Sequence, residues 1–283
     1  MTRTKATLNK STPRAADRSE GLAVSATLAI TRAGPVARVT LNRAQVRNAF
    51  NDAVIAELTA AFAELSQDLT LRAIVLAAEG KAFCAGADLN WMKSMAGYSW
   101  EENHADAAKL AEMLWTLYRC PVPVIARVQG DVYAGGVGLV AVCDIVVASE
   151  QAGFCLSEAK LGLLPATISP YVVRALGEQA ARRYFVTAER FSAAEAHRLG
   201  LVHELTSPET LDEKVDELLA TLVANSPAAV RACKRLVQDV AHAPITADLR
   251  DDTARRIADM RASSEGREGV QSFLNKRKPN WLA

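Results

Sequence analysis

The sequence predicts an α/β fold in which strand, strand, helix units repeat and a purely helical region closes the chain. Three observations carry this prediction. Short apolar runs recur between amphipathic stretches, the pattern of strands that pair in parallel beneath helices. Small-residue turns, "CAGADL" and "AGGVGL", follow two of those runs. Beyond Pro208 only helical periodicity is found, in "LDEKVDELLATLVAN", "AAVRACKRLVQDVA" and "EGVQSFLNKR".

The ordered body is expected to start near Gly21. The head before it, residues 1–21, is basic and poor in acids and reads as a disordered tail. It has no apolar run for a secretory signal and bears only a faint resemblance to an organelle transit peptide. "LAVSATLAIT" and "PVARVTL" alternate as two strands around a turn at "RAGP". "NDAVIAELTAAFAELSQD" offers Asn51 as a helix cap and places Val54, Leu58, Phe62 and Leu65 on one face. "RAIVLAA" follows as a buried strand, then a helix from about Glu101 to Tyr118, a strand in "VPVIARVQG", a helix opening at the "AGG" glycines and a strand in "DIVVAS". The chain therefore divides into a core of residues 22–206 and a helical region of residues 207–283.

Composition excludes several classes of function. At 283 residues and 50% hydrophobic content the chain can build a sizeable core. Thirty-three Lys and Arg against 32 Asp and Glu leave a net charge of +1, so nothing global points to nucleic acid. No apolar stretch approaches the roughly 18 residues that span a bilayer. The five cysteines, at positions 84, 120, 143, 155 and 233, form no CxxC pair and leave an odd count. Free thiols in a reducing, cytoplasmic setting are expected.

Common catalytic motifs are mostly absent. The four histidines lie far apart, without metal-ligand spacing and without a neighbouring nucleophile, so no metal site is expected. Gly136-Val-Gly138-Leu-Val-Ala141 matches a dinucleotide-binding pattern, but it arrives midway through the chain, and the acid at the required distance, Glu158, does not end a strand. Another use of the glycines fits better. Gly135 and Gly136 open a helix whose first N–H groups lack partners, and "CAGADL" presents the N–H of Ala87 in a similar setting. Two main-chain donors from two loops suit the enolate oxygen of a thioester, and the small residues beside them let it approach.

Together "AFCAGADLNWM", "VQGDVYAGGVGLVAVCDIVVAS", "FCLSEAKLGLLP", "AAEAHRLGLVHEL" and "EGVQSFLNKRKPNW" resemble the enoyl-CoA hydratase/isomerase, or crotonase, family from about residue 24 to the C-terminus. The resemblance implies a ClpP-like spiral of ββα units with a C-terminal α-helical trimerisation region, assembled as a homotrimer or a dimer of trimers. It implies an acyl-CoA substrate and no cofactor beyond the CoA carried by that substrate. Ala87 and Gly135 would form the oxyanion hole, and Glu158 would be catalytic. Gln45, Val46, Arg47 and Ala49 would line the CoA pocket. Ala85, Asp88 and Leu89 would flank the first donor, Tyr133 and Gly136 the second, and Ser157, Pro165 and Thr167 the acyl group. Phe273 and Lys276 would reach the adenine end.

The departures from the family pattern matter as much. Hydratases of the family typically carry two glutamates, but the first position is Gly138 here and only the second, Glu158, is present. After Pro165 the chain reads "ATISPYVVRALG" in place of a glycine-rich stretch. With "NWM" after "GADL", these features most resemble bacterial methylglutaconyl-CoA and carboxygeranoyl-CoA hydratases, of leucine and acyclic-terpene breakdown. The alternative is a Δ3,Δ2-enoyl-CoA isomerase, since one carboxylate can move a proton between C2 and C4. Arg174, Arg182 and Arg183 are candidates to pair with a second substrate carboxylate, but they read equally well as a helix face.

Overall fold

The computed structural model describes residues 20–25 and 27–282. The expected disordered tail lies outside these residues apart from its last two positions. The chain opens with three antiparallel strands, β1 (Glu20–Val24), β2 (Leu28–Ala33) and β3 (Val36–Leu41). "LAVSATLAIT" is thus two strands and not the single one expected. The Ser25 N–H donates to the Leu28 carbonyl (2.8 Å), and the Ser25 hydroxyl accepts the Leu28 N–H (2.9 Å), closing a turn that folds the stretch into an antiparallel hairpin. The turn at "RAGP" forms as expected, with Gly34 in the left-handed region.

Helix α1 (Asp52–Gln67) starts at the predicted cap, where the Asn51 side chain accepts the Val54 N–H (3.0 Å). It leads to β4 (Ala73–Ala78), α2 (Leu89–Met95), α3 (Trp100–Arg119) and β5 (Val124–Val128). Helix α3 begins one residue before the expected start, fixed by a reciprocal cap between Ser99 and Glu102. Then follow β6 (Val132–Tyr133), α4 (Gly135–Ala141), β7 (Ile145–Ser149) and β8 (Gly153–Cys155). Three short helices, α5 (Ser169–Leu176), α6 (Glu178–Thr187) and α7 (Ala193–Arg198), surround β9 (Arg190–Ser192), and β10 (Glu204–Thr206) closes the core. The C-terminal region consists of α8 (Leu211–Ala224), α9 (Pro227–Val240), α10 (Ala247–Ala262) and α11 (Ser264–Leu274).

The main sheet runs β1-β2-β3-β4-β5-β7-β10, parallel from β3 onward, and a small sheet, β6-β8-β9, stands apart from it. Every residue of β4 is buried. Its alternation explains why: Ile74 and Leu76 face the core built with α1 and α3, whereas Val75 and Ala77 face Leu211 and Val215 of α8. Leu218 and Leu222 of α8 pack on that same second face. The fold is an α/β architecture with a C-terminal helical region, as the sequence predicts.

Candidate active site

Hydrogen bonding aims two backbone segments at one cavity. Residues 83–86 are zipped on one side to 131–133, through Phe83 and Cys84 N–H to the Asp131 carbonyl and Tyr133 N–H to the Cys84 carbonyl (2.8 Å). On the other side Phe50 donates to Gly86 and accepts from Asp88, both at 2.7 Å. The pairing of Phe50 with Ala87 uses the groups on either side of Ala87, so the Ala87 N–H faces away from the ladder with no acceptor among the described residues. Gly135 starts α4, and its N–H likewise has no acceptor. Ala134 before it adopts φ 49°, a strained backbone for alanine, and its own N–H is held by the Cys155 carbonyl (2.8 Å). Gly86, at φ 88°, packs so closely that a Cβ there would lie 3.1 Å from the Ala134 Cβ. Glycine at 86 therefore suits the close approach of the two donor-bearing segments.

Ala87, Ala134 and Gly135 line a cavity of about 270 Å³ with Glu158, Pro165 and Thr167. Phe50, Trp91, Met95, Leu110 and Ile168 supply most of its apolar wall. Glu158 begins a short 3₁₀ turn, and its carbonyl is held by the Leu163 N–H (3.1 Å). One carboxylate oxygen of Glu158 is buried without a hydrogen-bond partner. Burial pushes this carboxyl above the usual range, against a smaller opposing pull from its own backbone N–H. Asp106 and Glu158 are the ionisable side chains of the wall, and no cation lines it among the described residues. Arg183 is paired with Glu189 (2.7 Å) and Arg174 bonds the Pro170 carbonyl (3.3 Å); neither they nor Arg182 reach the cavity. Cys84 is not a nucleophile: burial pushes its thiol up to about 12.

A second, more polar cavity of about 640 Å³ lies along the same two segments. Gln45, Arg47, Ala85 and Tyr133 line it, together with Lys81 and Asp131, which the sequence reading had not singled out. The remaining candidates line neither cavity. Asp88 is structural: its carboxylate caps α2 through the Asn90 N–H (2.8 Å) and pairs with Arg43 (2.8 Å). Gly136 is buried against Cys84, and Ala49 is buried. Val46 is exposed, Ser157 is half-buried, and Leu89 is 74% exposed. Phe273 and Lys276 lie at and just beyond the end of α11, with Phe273 82% exposed.

The model for "Enoyl-CoA hydratase/isomerase" matches residues 31–283. The chain belongs to the enoyl-CoA hydratase/isomerase family. Among solved structures, an enoyl-CoA hydratase from Shewanella pealeana shares 42% identity at a TM-score of 0.87, covering 90% of this chain and 96% of that one. An enoyl-CoA hydratase from Mycobacterium smegmatis superposes at the same TM-score with 37% identity over 92% of this chain and all of the other. The 2,3-dehydroadipyl-CoA hydratase of Escherichia coli K12 is 30% identical over 257 residues, 90% of this chain and 98% of its own length. In this enoyl-CoA hydratase/isomerase family member Gly138 is buried behind Ile168. Phe50, Trp91 and Ile168 are wall residues the sequence reading missed. They come from three distant segments, and only "NWM" carried a local signal.

Proposed function

We propose that this chain is an enoyl-CoA hydratase that adds water to a 2-enoyl-CoA through an enolate held by the Ala87 and Gly135 N–H groups, with Glu158 as the acid–base residue. One observation carries the reading: two residues with unpartnered N–H groups, Ala87 and Gly135, and Glu158 line a single small, mostly apolar cavity. Charge that develops on the thioester oxygen meets fixed donors there with little water to screen them. The water oxygen bonds to C3 as its proton passes to Glu158. A proton from the carboxyl group reaches Cα, the enolate collapses to the thioester, and the carboxylate is regenerated. Thr167 is the hydroxyl on the wall suited to hold that water. The Ser169 hydroxyl donates to the Ala166 carbonyl (2.8 Å), which suits it less well.

The CoA moiety would follow the polar cavity, with Gln45, Arg47 and Lys81 toward its phosphates and Phe273 and Lys276 toward adenine. No cofactor beyond CoA is needed for this chemistry. For the acyl group we favour a methylglutaconyl-like unit of leucine breakdown, supported by the resemblance around Pro165 and by the E. coli relative, which is named for a dicarboxylic acyl thioester. A homotrimer or dimer of trimers in the cytoplasm completes the proposal. Its supports are an apolar cleft of about 480 Å³ between α9 and α10, lined by Leu236, Ile257 and Met260, and five unpaired thiols.

A second reading has an observation of its own. With Ile168 standing over Gly138 no carboxylate occupies that position, and Glu158 alone would suffice for a Δ3,Δ2-enoyl-CoA isomerase. A panel of 2-enoyl- and 3-enoyl-CoA thioesters, assayed separately for hydration and double-bond migration, tests the proposal. Hydration of 2-enoyl-CoA is expected; migration without hydration would move the assignment to isomerase.

A further inference from the structure

Helix α3 presents Asn103, Asp106 and Leu110 to the cavity that Glu158 lines, three residues spaced to share one helical face. That face is held in place. Ser99 and Glu102 cap the start of α3, and Met113, Leu114 and Leu117 bury its second half in the core. The Asn103 amide is spent on the helix start, donating to the Tyr98 (3.2 Å) and Ser99 (3.0 Å) carbonyls. Asp106 is uncommitted: it is half-buried and makes no side-chain hydrogen bond or ion pair among the described residues, and both its oxygens keep surface open to water. Position 138 cannot supply a second carboxylate, because Ile168 fills that volume. A water that attacks C3 gives one proton to Glu158 and keeps one O–H. In a mostly apolar cavity that remaining O–H needs an acceptor, and a carboxylate accepts without donating.

We propose that Asp106 is a second catalytic carboxylate, which accepts the O–H that the attacking water keeps, turns a lone pair of that water toward C3, and then accepts the 3-hydroxyl of the product. No proton moves onto Asp106: the water oxygen bonds to C3, its other proton passes to Glu158, and Cα is protonated as described above. This rests on the hydratase reading and adds to it the group that holds the water.

Two rates separate the handling of water from the handling of the Cα proton. One is hydration of 2-butenoyl-CoA; the other is exchange of the α-hydrogen of butyryl-CoA in deuterium oxide, which needs Glu158 and the main-chain donors but no attack at C3. Asp106→Leu, close in size, removes the acceptor. Its hydration should fall by about 10- to 100-fold more than its exchange, the effect of one hydrogen bond to a charged group. Asp106→Asn keeps an accepting oxygen, so its ratio of hydration to exchange should lie between those of wild type and the leucine variant, and it carries the test alone if the leucine variant does not fold. Equal losses of the two rates, or undiminished hydration in Asp106→Leu, overturn the role of Asp106. Exchange without hydration in wild type would move the assignment to isomerase and leave no water for Asp106 to hold. Absence of both rates would remove the thioester reading itself, and this inference falls with it.

Discussion

Gly138 and Ile168 share one volume: a Cβ built on Gly138 would lie 2.2 Å from the Ile168 Cγ2 and 2.6 Å from its Cβ. Ile168 is 1% exposed at the start of α5 and lines the cavity beside Glu158. Two departures noted separately in the sequence, the missing glutamate and the altered stretch after Pro165, are therefore one packing arrangement. The glycine is required because the isoleucine fills the space a side chain would enter.

That pairing makes Gly138→Ala destabilising. At an unobstructed helix position the change would gain up to about 1 kcal/mol, whereas overpacking a tight core costs about 1 to 3 kcal/mol. The clash should win here. Ile168→Ala in the same chain should recover much of the loss, giving a coupling energy of about 1 kcal/mol or more in a urea-denaturation double-mutant cycle. Additive effects of the two changes would refute the shared volume.

The proposed oxyanion donor at Gly135 can be separated from the space around it. A Cβ there would stand 3.2 Å from the Phe50 ring, so Gly135→Pro alone mixes a lost donor with a shifted ring. Gly135→Ala adds the same Cβ and keeps the N–H. Turnover by the proline variant should fall below that of the alanine variant by about 10² to 10³; similar rates for the two would remove this N–H from the mechanism.

Glu158 should destabilise the fold when ionised. Its folded pKa is raised, by burial first, so stability is full below the unfolded pKa and declines as pH rises through the folded one. Glu158→Gln should then raise the melting temperature at neutral pH and leave it nearly unchanged in acid. For the same reason the acid limb of wild-type kcat/KM should lie above the ordinary carboxylate range. Scanning calorimetry across pH that finds the variant no more stable at neutral pH counts against a strained carboxylate.

Arg43 and Asp88 hold the Ala87 loop from the side. They pair at 2.8 Å with side chains 16% and 8% exposed, and the second guanidinium nitrogen bonds the Ala49 carbonyl (2.8 Å). Burial tends to raise the Asp88 pKa, but the Asn90 N–H and Arg43 outweigh it and the net shift is downward. This stabilisation is present above the usual carboxylate range and is lost as pH falls through the folded value. Arg43→Met strands a buried carboxylate and should cost about 3 kcal/mol or more, together with turnover. Chemical denaturation showing a loss under 1 kcal/mol would contradict the pairing.

The sequence made legible whatever depends on local pattern. β4 was readable because burial on both faces leaves an uninterrupted apolar run, and α1 because its cap and apolar face lie within one stretch. The break at Ser25 was not, since one hydroxyl bonding a neighbouring N–H outweighs alternation that continues on both sides of it. Asp88 read as a binding residue because its partner Arg43 lies 45 positions away. The cavity wall was hidden for the same reason: Phe50, Trp91 and Ile168 meet only in three dimensions.

The proposed chemistry turns on the Glu158 carboxylate, and Glu158→Gln measured for both binding and turnover tests it most directly. General acid–base catalysis contributes about 10² to 10⁴ in rate, or about 3 to 5 kcal/mol of barrier. The variant should therefore hydrate a 2-enoyl-CoA at least 10²-fold more slowly, while binding the corresponding saturated acyl-CoA as tightly as wild type, because the Ala87 and Gly135 N–H groups hold the thioester. Undiminished hydration and undiminished double-bond migration in Glu158→Gln would reject Glu158 as the catalytic residue.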